Sequence, residues 1–302
     1  MYFNSLIYFF ISYAMAPYLL PAATCIAQVT LRTHQLPVLT RFYEQIIGLQ
    51  VIQLEPSKAY LSAAGQEPAL LVLEQDDTAP RHNPRQPGLF HVAYLVPNRL
   101  ELARWWQHFS QTNWPVQGFG DHLVSEAIYL ADPDGNGIEI YADCPRSTWP
   151  IQNGQVQMTT EPVDIASLMR ELPVPDKPWT GMAAETHIGH IHLQVSNLNQ
   201  ARLFYHQLLG FTVMQESYPG ALFVAAGGYH HHIGLNTWRS RAASARNPEA
   251  TGLASFVIKL PEASALTQLT TRLQEAAFKP ETIGQKGIQV QDKDGITVEL
   301  AA

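Results

Sequence analysis

The sequence predicts an α+β protein built from four βαβββ modules in two tandem domains, and three sets of repeated residues predict it. Phe42-Tyr43 before Gly48-Leu49 returns as Phe204-Tyr205 before Gly210-Phe211, and Ala59–Gly65 returns as Ala221–Gly227, each 162 positions on. Asp132-Pro133-Asp134-Gly135 followed by Glu139 returns as Asp292-Lys293-Asp294-Gly295 followed by Glu299, 160 positions on. Each half also divides. His91 stands seven residues before Asn98 and His190 seven before Asn197, each time leading from an apolar strand into a helix. Repetition at a fixed period is the mark of duplicated structural units.

Length and composition agree with this reading. A chain of 302 residues is long enough for two domains. With 46% hydrophobic and 15% charged residues it buries a sizeable core. A net charge of −7 argues against nucleic acid, because phosphate contacts need a basic stripe. Cys25 and Cys144 are too few for a disulfide framework or a cysteine metal cluster, so a reducing cytoplasm is expected. Twelve histidines are the composition figure that points to chemistry.

In chain order, residues 1–23 read as an N-terminal extension. No charged side chain occurs before Arg32, so a signal peptide lacks its positive start. Asn4, Ser5, Ser12 and Pro17 interrupt the apolar run that a membrane span needs. Translation from Met15, with residues 1–14 as an upstream extension, is the expectation, and an anchor or signal is the alternative. Modules are placed at 24–75 and 87–143, forming a domain over 24–144. Within the second module a strand Val92–Val96 leads to a helix Leu100–Phe109. A Pro-rich interdomain arm covers 145–186, with a short amphipathic helix Val163–Leu172 inside it. Connections of this length are usually functional or wrap the surface. Modules at 187–238 and 251–301 form the second domain, 187–302.

Equivalent positions can then be compared. The first strands carry Gln28, His91, His190 and Ser255, and the closing strands of the second and fourth modules carry Glu139 and Glu299. A lone strand histidine is usually structural, and a Glu between two isoleucines ordinarily faces the other side of its sheet. The repeat alters that balance, because one slot is His twice while its sisters are Gln and Ser. The pattern reads as one retained site and one lost site. His91, Glu139 and His190 form the two-His, one-carboxylate set that leaves open positions on a metal. His192 faces the same side as His190 and is the rival ligand. In the run His230-His231-His232, strand alternation sends His230 and His232 to one face and His231 to the other.

The stretch Gly120 to Glu139 fits a specific pattern: small residue-x-His122, five residues, Ile128-Tyr129, two residues, Asp132-Pro133-x-Gly135, three residues, Glu139. On these residues the chain resembles the vicinal-oxygen-chelate (glyoxalase/bleomycin-resistance/dioxygenase) superfamily over about residues 24–302. Within it the likeness is to the extradiol ring-cleavage type, as in bacterial catechol 2,3-dioxygenases. The resemblance implies curved mixed sheets enclosing a metal pocket. It implies Fe(II), with Mn(II) as the alternative, held by His91, Glu139 and His190. It implies His122 and Tyr129 as groups that hydrogen-bond substrate and oxygen. It also implies an acid–base histidine, expected to be His231 on the last strand of the third module, with His230 and His232 as substrate-binding neighbours. The substrates would be a small aromatic diol and O2, and the product a 2-hydroxymuconic semialdehyde. In one respect the chain departs from the family: the complete set joins the second and third modules, where the third and fourth are usual. Two other readings remain open. One is a glyoxalase- or epimerase-like metalloenzyme, which typically uses two carboxylates; the other is a small-molecule-binding protein without catalysis. No stable membrane association is expected, and a homo-oligomer is left open.

Overall fold

The structure, a computed structural model, describes residues 17–284 and 287–302. The expected start at Met15 and the extension 1–14 lie outside the described residues. Among those described, no helix is long and apolar enough to cross a membrane.

All four strand–helix–strand units are present. The first has β1 (Cys25–Thr33), a helix Leu36–Phe42 that widens into a π-turn over Tyr43–Ile47, β2 (Gln50–Leu54), β3 (Lys58–Ser62) and β4 (Leu71–Gln75). The second has β5 (Gly88–Leu95), the helix Arg99–Phe109, β6 (Gly118–Asp121), β7 (Ser125–Ala131) and β8 (Gly137–Asp143). The arm holds the two-residue strands β9 (Ile151–Gln152) and β10 (Gln155–Val156) and a helix Ile165–Met169, shorter than expected. The third unit has β11 (His187–Gln194), a helix Leu198–Ala201 continuing as a π-turn Arg202–Leu208, β12 (Thr212–Gln215), β13 (Ala221–Ala225) and β14 (Ile233–Asn236). The fourth has β15 (Gly252–Lys259), the helix Ala263–Glu275, β16 (Glu281–Ile283), β17 (Gly287–Gln291) and β18 (Thr297–Ala301).

The repeated residues have structural reasons. Asn98 caps its helix by accepting from the Glu101 amide at 3.0 Å, and Asn197 accepts from the Asn199 and Gln200 amides at 2.9 and 3.1 Å. The fixed spacing therefore sets where each helix starts relative to the strand position seven residues before. Gly48 and Gly210 end the first and third helices with φ of 91° and 93°, a conformation that glycine reaches without strain. The Tyr43 hydroxyl donates to Asp132 at 3.1 Å, and the Tyr205 hydroxyl donates to Asp292 at 3.0 Å. The Phe-Tyr echo and the Asp-x-Asp-Gly echo are thus two ends of one repeated contact. It ties the first module to the second and the third to the fourth.

The sheets cut across that order. One eight-stranded sheet runs β16-β17-β18-β15-β1-β4-β3-β2 and joins the fourth module to the first. The other runs β12-β13-β14-β11-β5-β8-β7-β6 and joins the third to the second. The division into 24–144 and 187–302 follows the chain, whereas each sheet spans both stretches. The reason lies in the first strands. β1, β5, β11 and β15 would each leave one edge unpaired within a lone module. Antiparallel pairing of β1 with β15 and of β5 with β11 removes those edges. One hydrophobic core runs through all four modules, from Val29, Val92, Ile191 and Phe256 to Trp105 and Leu269 on the helices.

Candidate metal centre and substrate chamber

β5 lies at the seam of its sheet, parallel to β8 and antiparallel to β11. Ala93 is opposite Glu139 on one side and His190 on the other, and His91 is opposite His192. Directly opposite residues on neighbouring strands share a face, and so do residues two apart on one strand, so His91, Glu139 and His190 converge. The His91 Nε2 lies 3.0 Å from Glu139 Oε2, the His190 Nε2 lies 3.2 Å from that same oxygen, and the two nitrogens are 3.4 Å apart. All three residues are buried.

These distances have a chemical meaning. Neighbouring donors on an octahedral ion at about 2.1 Å are about 3.0 Å apart, and opposite donors about 4.2 Å. The three atoms are therefore mutually adjacent, a set that occupies one face of an ion. Burial drives the His190 imidazole down to about 4 in spite of the nearby Glu139 carboxylate, with His91 and His230 pushing the same way as burial. It is neutral at neutral pH, the form that binds a cation. Burial alone would raise the Glu139 carboxyl, but His190 and His91 hold it well below the usual carboxylate range. A carboxylate and two imidazoles in this arrangement fit Fe(II), and the donor types also suit Mn(II) and Zn(II).

The sister positions hold no such set. Gln28 turns its amide to the Ala69 carbonyl at 3.0 Å, and the Ser255 hydroxyl donates to Glu299 at 2.6 Å. Among the described residues, His91, Glu139 and His190 are the one group of three or more potential ligands close enough to share an ion.

A chamber of about 170 Å³ opens from the triad, lined by Phe90, His122, Tyr129, His192, Phe223 and His231 among others. His122 Nδ1 lies 2.6 Å from the Thr159 carbonyl, which can only accept, so Nδ1 carries the proton. Its Nε2 then accepts from the Tyr129 hydroxyl at 2.6 Å. Burial, and next the Glu139 charge, raise the Tyr129 phenol well above its ordinary value, so it stays protonated. Thr159 and Met158 come from the Pro-rich arm, which closes one side of the chamber. Residue type alone gave no signal for either; the length of the arm did.

His192 is brought to the chamber wall and not into the triad. Its ring lies on Gly234, where a Cβ would meet ring atoms at 2.9–3.0 Å, and packs against Phe90 at 5.1 Å. His231 lines the chamber, but from the bend before β14 and not from a strand as expected. Its neighbours correct the sequence reading. His230 and His232 are turned away from the chamber: His230 Nε2 bonds Asp143 at 3.0 Å, and His232 Nδ1 accepts from the Ala226 amide at 3.2 Å. His231 reaches the chamber and the other two do not, but the three precede β14, so strand alternation does not set their directions. Asp143 escaped notice in the sequence. Its spacing of two and four residues from Tyr141 and Glu139 on β8 would have placed it on the same face.

A family model described as the Glyoxalase/Bleomycin resistance protein/Dioxygenase superfamily matches residues 25–140 and 187–300. The chain belongs to that superfamily. Its sequence relatives put it on the extradiol side of the superfamily. It is 42% identical over 259 residues to a catechol-2,3-dioxygenase of Bacillus subtilis (strain 168), covering 84% of this chain and 88% of the relative. It is 27% identical over 123 residues to biphenyl-2,3-diol 1,2-dioxygenase 3 of Rhodococcus globerulus, covering 39% and 63%. Among solved structures, a putative dioxygenase from Bacillus subtilis superposes with a TM-score of 0.62 at 13% identity, covering 95% of this chain and 86% of that one. Glyoxalase I from Zea mays gives 0.56 at 13% identity, covering 92% of each. At these identities the structural likenesses speak for the superfamily fold alone.

Proposed function

We propose that the protein is an Fe(II)-dependent extradiol dioxygenase that opens catechol or a substituted catechol with O2 to a 2-hydroxymuconic semialdehyde-type product. The observation that carries this reading is the buried His91–Glu139–His190 set, whose donor atoms lie 3.0–3.4 Å apart at the floor of a small, partly aromatic chamber. The relative named for catechol cleavage supplies the substrate class. Mn(II) is the alternative ion.

When bound, the ion would supply Lewis acidity toward the diol oxygens and a template for diol and O2 together. The residues supply the rest. Phe90 and Phe223 face the ring and keep water out. Tyr129 and His122 sit beside the triad as a hydrogen-bonded pair for oxygen-borne charge. His231 is the acid–base group. It accepts the proton of a diol hydroxyl and later returns a proton to oxygen, a role suited to imidazole. Among the described residues the ligand group holds one carboxylate, where the glyoxalase-like alternative typically uses two. A cytoplasmic location is part of the proposal, in keeping with two unpaired, half-buried cysteines.

The test is anaerobic purification, measurement of metal content, and oxygen uptake with catechol. About one iron per chain and stoichiometric uptake of O2 with ring opening are expected. Protein that carries one iron per chain, yet consumes no oxygen with catechol or methylcatechols, would sink the proposal.

A further inference from the structure

We propose that His230 and Asp143 are positioning residues that fix the tautomer of His231 and leave its Nε2 as the lone pair available in the chamber. This rests on the reading of His231 as the acid–base group. The argument begins at the carboxylate. Asp143 Oδ1 accepts from the Tyr229 hydroxyl at 3.1 Å and lies 3.0 Å from His230 Nε2. A carboxylate oxygen cannot donate, so His230 carries its proton on Nε2. In neutral His230 the other nitrogen, Nδ1, is then a lone pair. It lies 2.8 Å from His231 Nδ1. That contact requires one proton between two nitrogens, and His230 has none left to give there. The proton is on His231 Nδ1. Neutral His231 therefore has its lone pair on Nε2, which makes no protein hydrogen bond among the described residues.

The surroundings hold this chain in place. His230 is fully buried, with its ring 4.0 Å from that of Tyr229. The Tyr229 hydroxyl, its proton given to Asp143, accepts in turn from Tyr141 at 2.8 Å. A Cβ at Gly189 would overlap the Tyr141 hydroxyl, so the glycine makes room for it. Glu139, Tyr141 and Asp143 are alternate residues of β8. One strand face thus carries the metal-binding carboxylate and the anchor of the acid–base histidine. The proton balance is simple: a diol proton enters at His231 Nε2, and the Nδ1 proton faces an acceptor backed by a carboxylate, which stabilises the cation so formed. The arrangement serves the purpose that a buried aspartate serves behind a hydrolase histidine.

The test uses the iron-loaded enzyme and a diamagnetic zinc-loaded form. His230→Phe keeps an aromatic ring and removes the acceptor. It should lower kcat by about tenfold or more, toward the ~10²–10⁴ of a whole acid–base contribution. KM for catechol and iron content should stay unchanged. His230→Asn restores an acceptor near the Nδ1 position and should recover most of kcat. Asp143→Ala, at a partly exposed position, should lower kcat in the same way if the buried variants fold poorly. Nitrogen-15 NMR of histidine in the zinc-loaded protein should show His231 protonated at Nδ1, and a mixture of tautomers in His230→Phe and Asp143→Ala. An Nε2–H tautomer of His231 in the unaltered protein would overturn the proposal, and so would full kcat in His230→Phe. An unaltered protein that cleaves no catechol defeats the dioxygenase reading instead, and the NMR result still decides this one.

Discussion

Glu139 and Glu299 are equivalent residues with unequal fates, and comparing them is the sharpest test of the site. Glu139 is buried against two imidazoles, whereas Glu299 is satisfied by the Ser255 hydroxyl and has no histidine in the sister slots. Glu139→Gln removes the anion that balances a divalent ion, so iron content and catechol cleavage should both collapse. Glu299→Gln keeps an acceptor for Ser255 and should cost no more than about 0.5 kcal/mol of stability. Loss of iron in the second variant and not the first would move the metal to the other sheet. The same measurement separates two histidines that the sequence left as rivals. His190→Ala should lose iron. His192→Ala should keep it, because His192 packs on Gly234 at the chamber wall. The triad was legible because the repeat exposed an asymmetry between slots. The burial of His230 was not legible, since a run of three histidines before a strand does not tell which of them turns inside.

At the scale of elements, the residues that repeat most visibly hold elements together and do not catalyse. Asp132 takes the Tyr43 hydroxyl at 3.1 Å together with the Asn136 side chain at 2.8 Å and two backbone amides, and Asp292 takes the Tyr205 hydroxyl at 3.0 Å and two backbone amides, with Ile296 where Asn136 stands. Tyr43→Phe should leave a buried acceptor short of one donor and cost about 1–3 kcal/mol. Tyr205→Phe should cost a similar amount, and the pair of changes should add, because the two contacts belong to different module pairs. Chemical denaturation of the three variants measures this, and a loss below about 0.5 kcal/mol in each single variant would show that the contact is incidental. The strand–helix order, the caps and the turns were all legible in local sequence. The cross-pairing of modules was not. β1 with β15 and β5 with β11 are contacts between strands more than 90 residues apart, and one apolar strand looks much like another as a partner. Only the convergence of His91 and Glu139 with His190 hinted that the second and third modules share a sheet.

For the whole molecule, this fold gathers histidines in its interior and keeps them neutral, and acid should therefore unfold it. Burial lowers His82 and His190 to about 4 and His232 to about 3, and holds His192 and His231 well below the usual range. In the unfolded chain each takes up a proton near pH 6.5, whereas the folded chain excludes it until the lower value is reached. Between those limits the unfolded state binds more protons, so stability is full above about pH 6.5 and is lost as pH falls toward 4. Two carboxyls pull the other way. Burial raises Asp132 to about 6 and Asp292 to about 7, so the folded state holds two extra protons above pH 4 and loses stability as pH rises through that range. Five histidines outweigh two carboxyls. The metal-free protein should lose several kcal/mol between pH 7 and pH 5, at about 1.4 kcal/mol per proton and pH unit, out of a typical total of ~5–15 kcal/mol. The metal-loaded form should fall more steeply, because protons compete with the ion for its imidazole ligands. His82→Asn removes one of the five without touching the triad and should flatten the profile by close to one proton. Urea denaturation at half-unit pH steps reads both slopes. Stability that is flat or rising on acidification from pH 7 to 5 would mean that these imidazoles are charged in the folded protein.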